Sequence, residues 1–263
     1  MTEEKKSTYF VHSVAKAFEV LKAFDSGSNT LSLRDLEQKT GINKATVRRF
    51  ALTLVDLGYL RMPEEHRFQL SPKVLELGSL YLENLTLPDL AYPILERISV
   101  LLRETTNLAV LDDAEVVYVS RVNAAERIIG VNLQVGSRLP YYATSLGKAL
   151  VAWLPAQERK RVWKRAKVEA FTANTITDFA RLEQELATCR RQGYAYSSDE
   201  LEVGLRSVAV PIFNRKQEPI AALNISTHSL RTSEEKVREV YLPVLLEAAQ
   251  ELNRQIRHHP RLI

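Results

Sequence analysis

The sequence predicts an α+β protein with an N-terminal winged helix-turn-helix, a linker helix and a C-terminal α+β domain. Three apolar patterns of helical period, within residues 12–57, precede alternating apolar and polar residues at 59–62 and 67–70. Beyond Pro88, strand-like segments come in antiparallel-looking groups separated by helical ones, which favours an α+β over a doubly wound domain. The predicted domains are residues 1–71, 72–87 and 88–263.

The composition indicates a soluble globular protein in a reducing compartment. Of the 263 residues, 45% are hydrophobic and 26% charged, and the net charge of +4 suits nucleic-acid binding without requiring it. Cys189 is the single cysteine, so a disulfide within the chain is impossible. The N-terminus does not resemble a signal peptide, and no apolar run approaches the roughly 20 residues of a membrane helix. We expect a cytoplasmic protein with no membrane segment.

The first two helices are predicted from their apolar positions. Residues 12–24 form the first helical pattern, and its apolar stripe consists of Val14, Phe18, Leu21 and Phe24. Residues 33–39 predict a short second helix. Its Leu33 and Leu36 are expected to point into the same small core as Ile42.

The third helical pattern, residues 43–57, is apolar on one face and basic on the other. Asn43 is a good N-cap because its short side chain can accept a hydrogen bond from an amide of the first turn. The apolar face consists of Val47, Phe50, Leu54 and Leu57. The other face carries Lys44, Ala45, Arg48 and Arg49. A helix of this kind, preceded by a tight turn, fits the major groove of DNA.

The residues predicted to contact DNA come from this helix and from the hairpin after it. An arginine can bind guanine or a phosphate through two N–H groups, and amides at a helix start can bind a phosphate. Two arginines flank the hairpin turn at residues 63–66 and can reach an adjacent groove. The predicted contacts are Lys44, Ala45, Thr46, Arg48, Arg49, Arg61 and Arg67. The alternative is a basic helix face that is merely solvated.

Residues 73–84 predict a linker helix with apolar residues around most of its circumference. The apolar positions are Val74, Leu75, Leu77, Leu80, Tyr81 and Leu82. Exposing so much apolar surface is unfavourable, so we expect this helix to pack against a partner subunit and to mediate dimerisation. Packing on the second domain of the same chain is the alternative.

The second domain is expected to begin after Pro88 with a helix at residues 90–105. The predicted strands are residues 108–111, 116–119, 127–135, 193–196, 208–213 and 220–226. The further predicted helices are residues 144–154, 155–167, 179–192 and 233–257.

One motif, Ser145-Leu-Gly-Lys148, matches the Ser-x-x-Lys of serine β-lactamases and penicillin-binding enzymes. The companion Ser-Asp-Asn is missing, and the Lys-Thr-Gly at residues 39–41 precedes the serine where it should follow. We therefore expect no enzymatic activity, and a serine hydrolase with a DNA-binding appendage is the alternative. Thr144 and Ser145 begin a helix whose amides and hydroxyls can receive an anion.

The histidines and Cys189 show no metal-ligand spacing, so no metal and no cofactor are expected. Two roles remain open for the second domain on these residues. It binds a small molecule, or it only dimerises.

The chain resembles the isocitrate-lyase-repressor (IclR) family of bacterial transcription regulators along nearly its whole length. The N-terminal matches are Val14-Ala-Lys-Ala-Phe-Glu-Val-Leu21, Thr40-Gly-Ile-Asn-Lys-Ala-Thr-Val-Arg-Arg49 and Leu57-Gly-Tyr-Leu60. The matches in the second domain are Leu139-Pro-Tyr-Tyr-Ala-Thr-Ser-Leu-Gly-Lys-Ala149 and Gly204-Leu-Arg-Ser-Val-Ala-Val-Pro211. Segments 200–207 and 223–228 are most similar to the Pca/Pob branch, whose members regulate protocatechuate and 4-hydroxybenzoate breakdown in the β-ketoadipate pathway.

The resemblance implies a sequence-specific regulator of aromatic-acid catabolic genes that binds double-stranded operator DNA as a homodimer or a dimer of dimers. It also implies a GAF-like effector domain and a small carboxylic-acid effector, such as 4-hydroxybenzoate, protocatechuate or β-ketoadipate. Matched to the family's effector pocket position by position, the implied residues are Ser145, Leu146, Ser197, Ser207, Asn224 and Ser226. Because a carboxylate needs charge-assisted donors and an aromatic ring needs a wall, we add Arg138, Tyr142, Arg206 and His228.

Overall fold

Short helices and a small antiparallel sheet form the first of the two units into which the chain divides, Met1–Tyr81 and Leu82–Ile263. The computed structural model describes residues 9–25, 29–83, 86–124 and 133–258. The elements of the first part of the chain are α1 (His12–Lys22), β1 (Leu31–Ser32), α2 (Leu33–Thr40), α3 (Lys44–Asp56), β2 (Leu60–Glu64), β3 (Arg67–Leu70), a 3₁₀ turn (Pro72–Val74) and α4 (Leu75–Glu83).

The three strands pair antiparallel in the order β1-β3-β2. Leu31 lies opposite Phe68, and Leu60 lies opposite Leu70. Three helices with this sheet confirm the predicted winged helix-turn-helix. β1 was not predicted because it has only two residues and exists through its pairing with a distant strand.

Side-chain caps and one glycine set the limits of α2 and α3. Ser32 and Asp35 form a capping box at the start of α2, in which Asp35 Oδ2 accepts from Ser32 N at 2.8 Å. Gly41 follows α2 with a φ of 68°, a left-handed conformation that glycine adopts without strain. Asn43 Oδ1 accepts from Thr46 N at 3.0 Å, which confirms the predicted N-cap of α3.

The core of the first unit differs from the predicted apolar stripes at three positions. On α1, Val14 and Phe18 are 53% and 49% exposed, and the fully buried residue is Val20. On α3, Leu57 is 53% exposed because it is the C-cap residue, beyond the last turn that faces the core. Ala51 is buried in its place, between Val47 and Leu54 along the same face.

A six-stranded antiparallel sheet of order β6-β5-β4-β9-β8-β7 organises the second unit. Its strands are β4 (Thr105–Asp112), β5 (Glu115–Val122), β6 (Arg138–Pro140), β7 (Ala195–Ser198), β8 (Leu205–Phe213) and β9 (Pro219–His228). The helices are α5 (Thr86–Leu102), α6 (Ser145–Val151), α7 (Ala156–Arg165), α8 (Phe179–Gln192), α9 (Glu234–Lys236) and α10 (Leu242–His258). A 3₁₀ turn (Tyr141–Ala143) precedes α6, and a π-helical segment (Val237–Tyr241) joins α9 to α10.

Each face of this sheet carries its own apolar core. On one face, helices α5 and α10 bury residues such as Leu95 and Leu245. On the other, α6 and α8 bury Leu146 and Leu186. Burial on both faces explains the nearly continuous apolar sequence of β8, and the architecture confirms the predicted α+β class. None of the helices in the described ranges is both long and apolar enough to cross a lipid bilayer.

Two predicted elements of the second unit differ from the structure. Helix α5 begins at Thr86 and not at residue 90, because Pro88 lies in its first turn, where the missing N–H removes no helical hydrogen bond. Most of the predicted strand at 127–135 falls outside the described residues, and residues 133–135 are not in a strand. The next strand is β6, which begins at Arg138.

Candidate functional site

The basic face of α3 is exposed, and none of the described residues neutralises its cations. Lys44, Ala45, Arg48 and Arg49 are exposed, and Thr46 is half-buried. Within the described part of the chain, no carboxylate pairs with Lys44, Arg48 or Arg49. A guanidinium without an internal partner keeps its donors available for phosphate or guanine.

Two amides at the start of α3 already have acceptors in the protein. Glu37 Oε1 accepts from Lys44 N at 2.8 Å, and Asn43 Oδ1 accepts from Thr46 N. The expectation that amides at this helix start are open to DNA is therefore corrected for these two. The amide of Ala45 and the side chains of α3 are the groups left for contact.

The hairpin presents its two arginines differently. Arg61 is exposed, and its Nε donates to Gln69 Oε1 at 3.1 Å across the strand pair. Arg67 lies 4.0 Å from Asp35 Oδ2, so part of its charge is balanced by α2. Hydrogen bonds from Ser32 lower the pKa of Asp35, and Arg67 lowers it further, so this carboxylate stays ionised.

A cavity lies in the second unit between the sheet and the start of α6. Its wall comes from strands β5, β7, β8 and β9, from the turn after β7 and from the segment before α6. The lining residues are Tyr118, Arg121, Leu133, Ala143, Thr144, Ser197, Leu201, Glu202, Leu205, Ser207, Asn224 and Ser226. Polar groups on an otherwise apolar wall are typical of a small-molecule site.

Four residues that the family resemblance implies lie together on this wall: Ser197, Ser207, Asn224 and Ser226. Ser197 stands opposite Ser207 in the β7–β8 pair, and Ser207 opposite Ser226 in the β8–β9 pair, so they form a row across three strands. Ser145 adjoins this row, with its Oγ 2.8 Å from Ser207 Oγ. Leu146 is fully buried in the core on the same face of the sheet.

Local sequence features hold α6 against this site. The Thr144 side chain caps the helix by accepting from Gly147 N at 3.1 Å. A Cβ on Gly147 would lie 2.3 Å from the backbone of Tyr141, so only glycine allows this close approach. The packing places Ser145 in the first turn, facing β8.

The other predicted effector residues lie away from the cavity and have different partners. Arg138 donates from Nε to Glu115 and from Nη2 to Asp112, both at 2.7 Å. The hydroxyl of Tyr142 accepts from Glu169 N at 2.8 Å. Arg138 therefore lies at the surface on β6, whereas Tyr142 is buried against the segment after α7.

Arg206 and His228 likewise do not line the cavity. Arg206 donates from Nε to Ser198 Oγ at 3.3 Å, and its Nη1 bonds the carbonyl of Thr232. The Nδ1 of His228 accepts from Leu230 N at 3.2 Å. The imidazole packs on Gly204, where a Cβ would lie 2.6 Å from Nε2. Alternation along β8 puts Arg206 on the face opposite Ser207. His228 pairs with Leu205 on the same face as Ser207, but it ends β9 and does not line the cavity.

The guanidinium on the cavity wall belongs to Arg121, which we did not predict from the sequence. Arg121 Nη1 donates to Asn107 Oδ1 at 2.6 Å, and Nε donates to Asn123 Oδ1 at 2.8 Å. Both acceptors are neutral amides, and no carboxylate of the described segments pairs with this arginine. Burial lowers the pKa of Arg121, yet a guanidinium stays protonated in proteins. Arg121 is therefore a cation on the wall without an ion-pair partner among the described residues, and Glu202 is a carboxylate elsewhere on the same wall.

A β-bulge brings Arg121 to this wall. The β4–β5 register shifts so that Ala109 faces Tyr118 while Leu108 faces Ser120. Residues three apart normally lie on opposite faces of a strand, but the extra residue at Val119 puts Tyr118 and Arg121 on the same face. An arginine inside an apolar strand was the available sequence signal, but residues 116–119 were the predicted strand.

Tyr118 supplies a second donor next to this arginine. Its side chain is buried, and its hydroxyl has no hydrogen-bond partner among the described residues. Burial raises the pKa of the Tyr118 phenol, so the hydroxyl keeps its proton at neutral pH. A neutral phenol and a guanidinium are both donors, which suits an anionic oxygen.

A chain of amide hydrogen bonds orients the arginine. Asn107 Nδ2 donates to Asn224 Oδ1 at 2.7 Å, and Asn224 Nδ2 donates to Ser226 Oγ at 3.1 Å. Because Asn107 uses its NH₂ group on Asn224, its oxygen must face Arg121. The network links the guanidinium to two other groups on the cavity wall.

Lys148 and Glu200 form a buried ion pair beneath the serine row. Lys148 is fully buried, Glu200 is 7% exposed, and Ser197 Oγ donates to Glu200 Oε1 at 3.0 Å. A lysine that activates a serine must be available to take its proton. Here Lys148 is bound to Glu200, and Ser145 is bound to Ser207. The Ser-x-x-Lys motif is thus engaged in two other interactions.

Family models match both parts of the chain. The model described as IclR helix-turn-helix domain matches residues 13–63. The model described as Bacterial transcriptional regulator IclR C-terminal matches residues 79–254, which include α5, the whole sheet and the cavity residues.

Full-length relatives and solved structures are also similar. The Pca regulon regulatory protein of Pseudomonas putida is 38% identical over 247 residues, 94% of this chain and 84% of that protein. The p-hydroxybenzoate hydroxylase transcriptional activator of Acinetobacter baylyi is 32% identical, covering 95% and 94% of the two chains. The crystal structure of a homologue from Microbacterium hydrocarbonoxydans complexed with 4-hydroxybenzoate gives a TM-score of 0.79 at 27% identity, covering 94% and 100%.

Proposed function

The chain belongs to the IclR family of bacterial transcriptional regulators, and from this premise we propose that it controls aromatic-acid catabolic genes in response to a small carboxylic acid. The observation that carries the proposal is Arg121, a charged group on the cavity wall without an acidic partner in the described chain. Arg121 is half-buried, and a guanidinium in such a place is stabilised by a carboxylate, which an effector would supply.

The cavity chemistry supports an aromatic hydroxy acid. A carboxylate near Arg121 would also reach the Tyr118 hydroxyl, because the two residues share one face of β5. Three leucines on the wall provide apolar contact for a ring: Leu133, Leu201 and Leu205. The serine row offers hydroxyls to a phenolic group.

Two related regulators support a hydroxybenzoate as the effector. The Acinetobacter baylyi relative is an activator of p-hydroxybenzoate hydroxylase, and the Microbacterium hydrocarbonoxydans homologue holds 4-hydroxybenzoate. Among 4-hydroxybenzoate, protocatechuate and β-ketoadipate, we favour the first two. β-Ketoadipate has a second carboxylate, and Glu202 on the wall would repel it.

For DNA we propose that α3 enters the major groove of an operator. The exposed arginines Arg48 and Arg49, with Lys44, Ala45 and Thr46, would contact bases and phosphates, and Arg61 and Arg67 would reach the neighbouring backbone. The partner at the dimer interface would be a second copy of the chain. Exposed apolar side chains on α4, including Leu75 and Leu80, support this because water-exposed leucines at this density favour burial.

The linker would thereby pair two DNA-binding heads, in a dimer or a dimer of dimers, at a pseudo-palindromic site. Effector binding in the second unit would change DNA affinity, and DNA would change effector affinity by the same factor. We infer that the protein is not an enzyme and acts on the chromosome in the bacterial cytoplasm. The Lys148–Glu200 and Ser145–Ser207 contacts support the absence of serine chemistry.

Calorimetry tests the effector. The full chain is titrated with 4-hydroxybenzoate, protocatechuate and β-ketoadipate, and with 4-hydroxybenzamide as a neutral matched control. We expect saturable binding of the two hydroxybenzoates and at least tenfold weaker binding of the amide, since the charge is lost. Flat titrations with all three acids would favour a second domain that only dimerises.

Mobility shifts test the DNA function. The fragment is the intergenic region upstream of the gene, at several salt concentrations. Replacing Arg48 and Arg49 with Ala should remove sequence-specific binding and reduce the salt slope by about one per lost phosphate contact. Because both residues are exposed, the thermal midpoint should hardly change. Unchanged affinity in the double variant would exclude α3 as the contacting helix.

A further inference from the structure

Glu37 on α2 forms hydrogen bonds that link the end of α2 to the start of α3. The backbone carbonyl of Glu37 accepts from Gly41 N at 2.8 Å, which closes the end of α2. Its side-chain Oε1 accepts from Lys44 N, also at 2.8 Å, which begins α3. Glu37 therefore bonds to both sides of the turn between the two helices.

The Glu37 carboxylate also occupies the positive end of α3. The first amides of a helix lack partners inside it and attract anions, including phosphate. Here the carboxylate takes the amide of Lys44 and Asn43 takes that of Thr46. A DNA phosphate approaching this first turn would meet a like charge.

Most of the remaining attraction for DNA on α3 comes from its basic side chains, beside the amide of Ala45. Lys44, Arg48 and Arg49 are exposed and have no acidic partner among the described residues. Phosphate contacts add affinity for any sequence, whereas contacts to base edges distinguish one sequence from another. A carboxylate that blocks one phosphate position therefore weakens binding to all DNA while leaving base contacts in place.

We propose that Glu37 is a specificity-determining residue for DNA: it orients α3 on α2 and keeps backbone phosphates off the first turn of α3. The inference rests on the proposed docking of α3 in the major groove. It explains why an acidic residue lies at the start of an otherwise basic surface.

Two substitutions separate the charge of Glu37 from its hydrogen bond. Glu37→Gln keeps an oxygen acceptor for the Lys44 amide but removes the charge. Glu37→Asp keeps the charge, and its side chain is one methylene shorter, so it no longer reaches the amide. Glu19→Gln on α1 is the matched control, since the Glu19 side chain is exposed and makes no hydrogen bond to the described residues.

The experiment uses two DNA duplexes of equal length. One is the sequence that the wild-type chain enriches from a random library, and the other is a scrambled version. Dissociation constants are measured by fluorescence anisotropy between 50 and 200 mM NaCl. Thermal midpoints of all variants are recorded alongside.

Glu37→Gln should bind the scrambled duplex about threefold more tightly at 50 mM salt and lose that gain by 200 mM, because the substitution removes one charge that repels the DNA phosphates. Binding to the enriched duplex should improve less. The specificity ratio, which is the dissociation constant for the scrambled duplex divided by that for the enriched duplex, should therefore fall. Glu37→Asp should bind the enriched duplex several-fold more weakly than wild type, with little change for the scrambled one. Glu19→Gln should keep the wild-type ratio.

If Glu37→Gln keeps the wild-type specificity ratio and the wild-type salt slope, the inference is overturned, because Glu37 would then be only a helix cap. The same shift in Glu19→Gln would also overturn it, because net charge alone would explain the effect. If the wild-type chain enriches no sequence, the proposed function fails and this inference with it. The two failures are therefore distinguishable.

Discussion

Arg121 and Asn107 are joined across neighbouring strands by a 2.6 Å hydrogen bond from Nη1 to Oδ1. The acceptor is an amide that is itself oriented by Asn224 on the next strand. The guanidinium is thus held in place on the cavity wall without an ion-pair partner among the described residues. An arginine arranged in this way is preorganised for an anion, because no internal ion pair has to break before the anion binds.

Arg121→Gln should weaken hydroxybenzoate binding. Losing one charge-assisted hydrogen bond costs about 1.5–3 kcal/mol, or a roughly 10- to 150-fold higher Kd. Calorimetry on the full chain measures the change, and Arg138→Gln is the control because Arg138 pairs with Glu115 and Asp112 away from the cavity. A larger loss of hydroxybenzoate affinity in the Arg138 variant would indicate that the carboxylate binds near Arg138 and not at Arg121.

Lys148→Met should destabilise the second unit by about 3–5 kcal/mol, because it leaves the Glu200 carboxylate buried without a counter-charge. Adding Glu200→Gln should recover more than about 1 kcal/mol of this loss, since the two residues are in contact. Urea unfolding of the single and double variants gives the coupling free energy. Strictly additive losses would show that the pair is not coupled.

Tyr141, in the turn before α6, should make the free energy of unfolding fall at high pH. Burial raises the pKa of Tyr141 above its ordinary value near 10, and its hydroxyl is buried without a partner in the described residues. The unfolded chain then releases this proton first, so the stabilisation holds below pH 10 and is lost above it, by up to about 1.4 kcal/mol per pH unit. Urea unfolding at pH 9, 10 and 11 should show a shallower decline in Tyr141→Phe than in wild type. The same change at the exposed Tyr92 serves as control, and equal declines in all three proteins would contradict the prediction.

Leu77→Glu combined with Leu80→Glu should dissociate the proposed dimer. The two side chains are 48% and 59% exposed in the single chain. Burying a leucine contributes about 1.5–3 kcal/mol, so losing both should weaken self-association more than 100-fold. Analytical ultracentrifugation measures the monomer–dimer equilibrium. Val203→Glu, at an exposed apolar position in the second unit, should leave it unchanged.

Local sequence patterns were enough to predict most helices and strands of the first unit. The apolar spacing of α3, the Asn43 cap and the alternation in β2 and β3 each involve neighbours in the chain, so the sequence predicts them directly. The exposure of Val14 and Phe18 was not predictable in this way. Both residues fit a helical stripe, and only the packing decides which part of a stripe is covered.

The residues of the candidate cavity were likewise predictable only in part. The family resemblance pointed to the serines on β7, β8 and β9, and the strand register places them side by side. The choice among arginines was different, because charge and position favoured Arg138 and Arg206, whose side chains pair elsewhere. Arg121 reaches the cavity through a bulge that reverses the face of a strand.

The sequence by itself therefore determined the fold class, the basic helix α3 with its cap, and the serines of the second unit, because each is encoded in short-range spacing or a family motif. The tertiary structure alone decided that Arg121 lines the cavity and that Glu37 bonds to the start of α3. Both depend on contacts between separate elements, and local periodicity carries no information about a strand bulge or about the partner of a side chain on another helix.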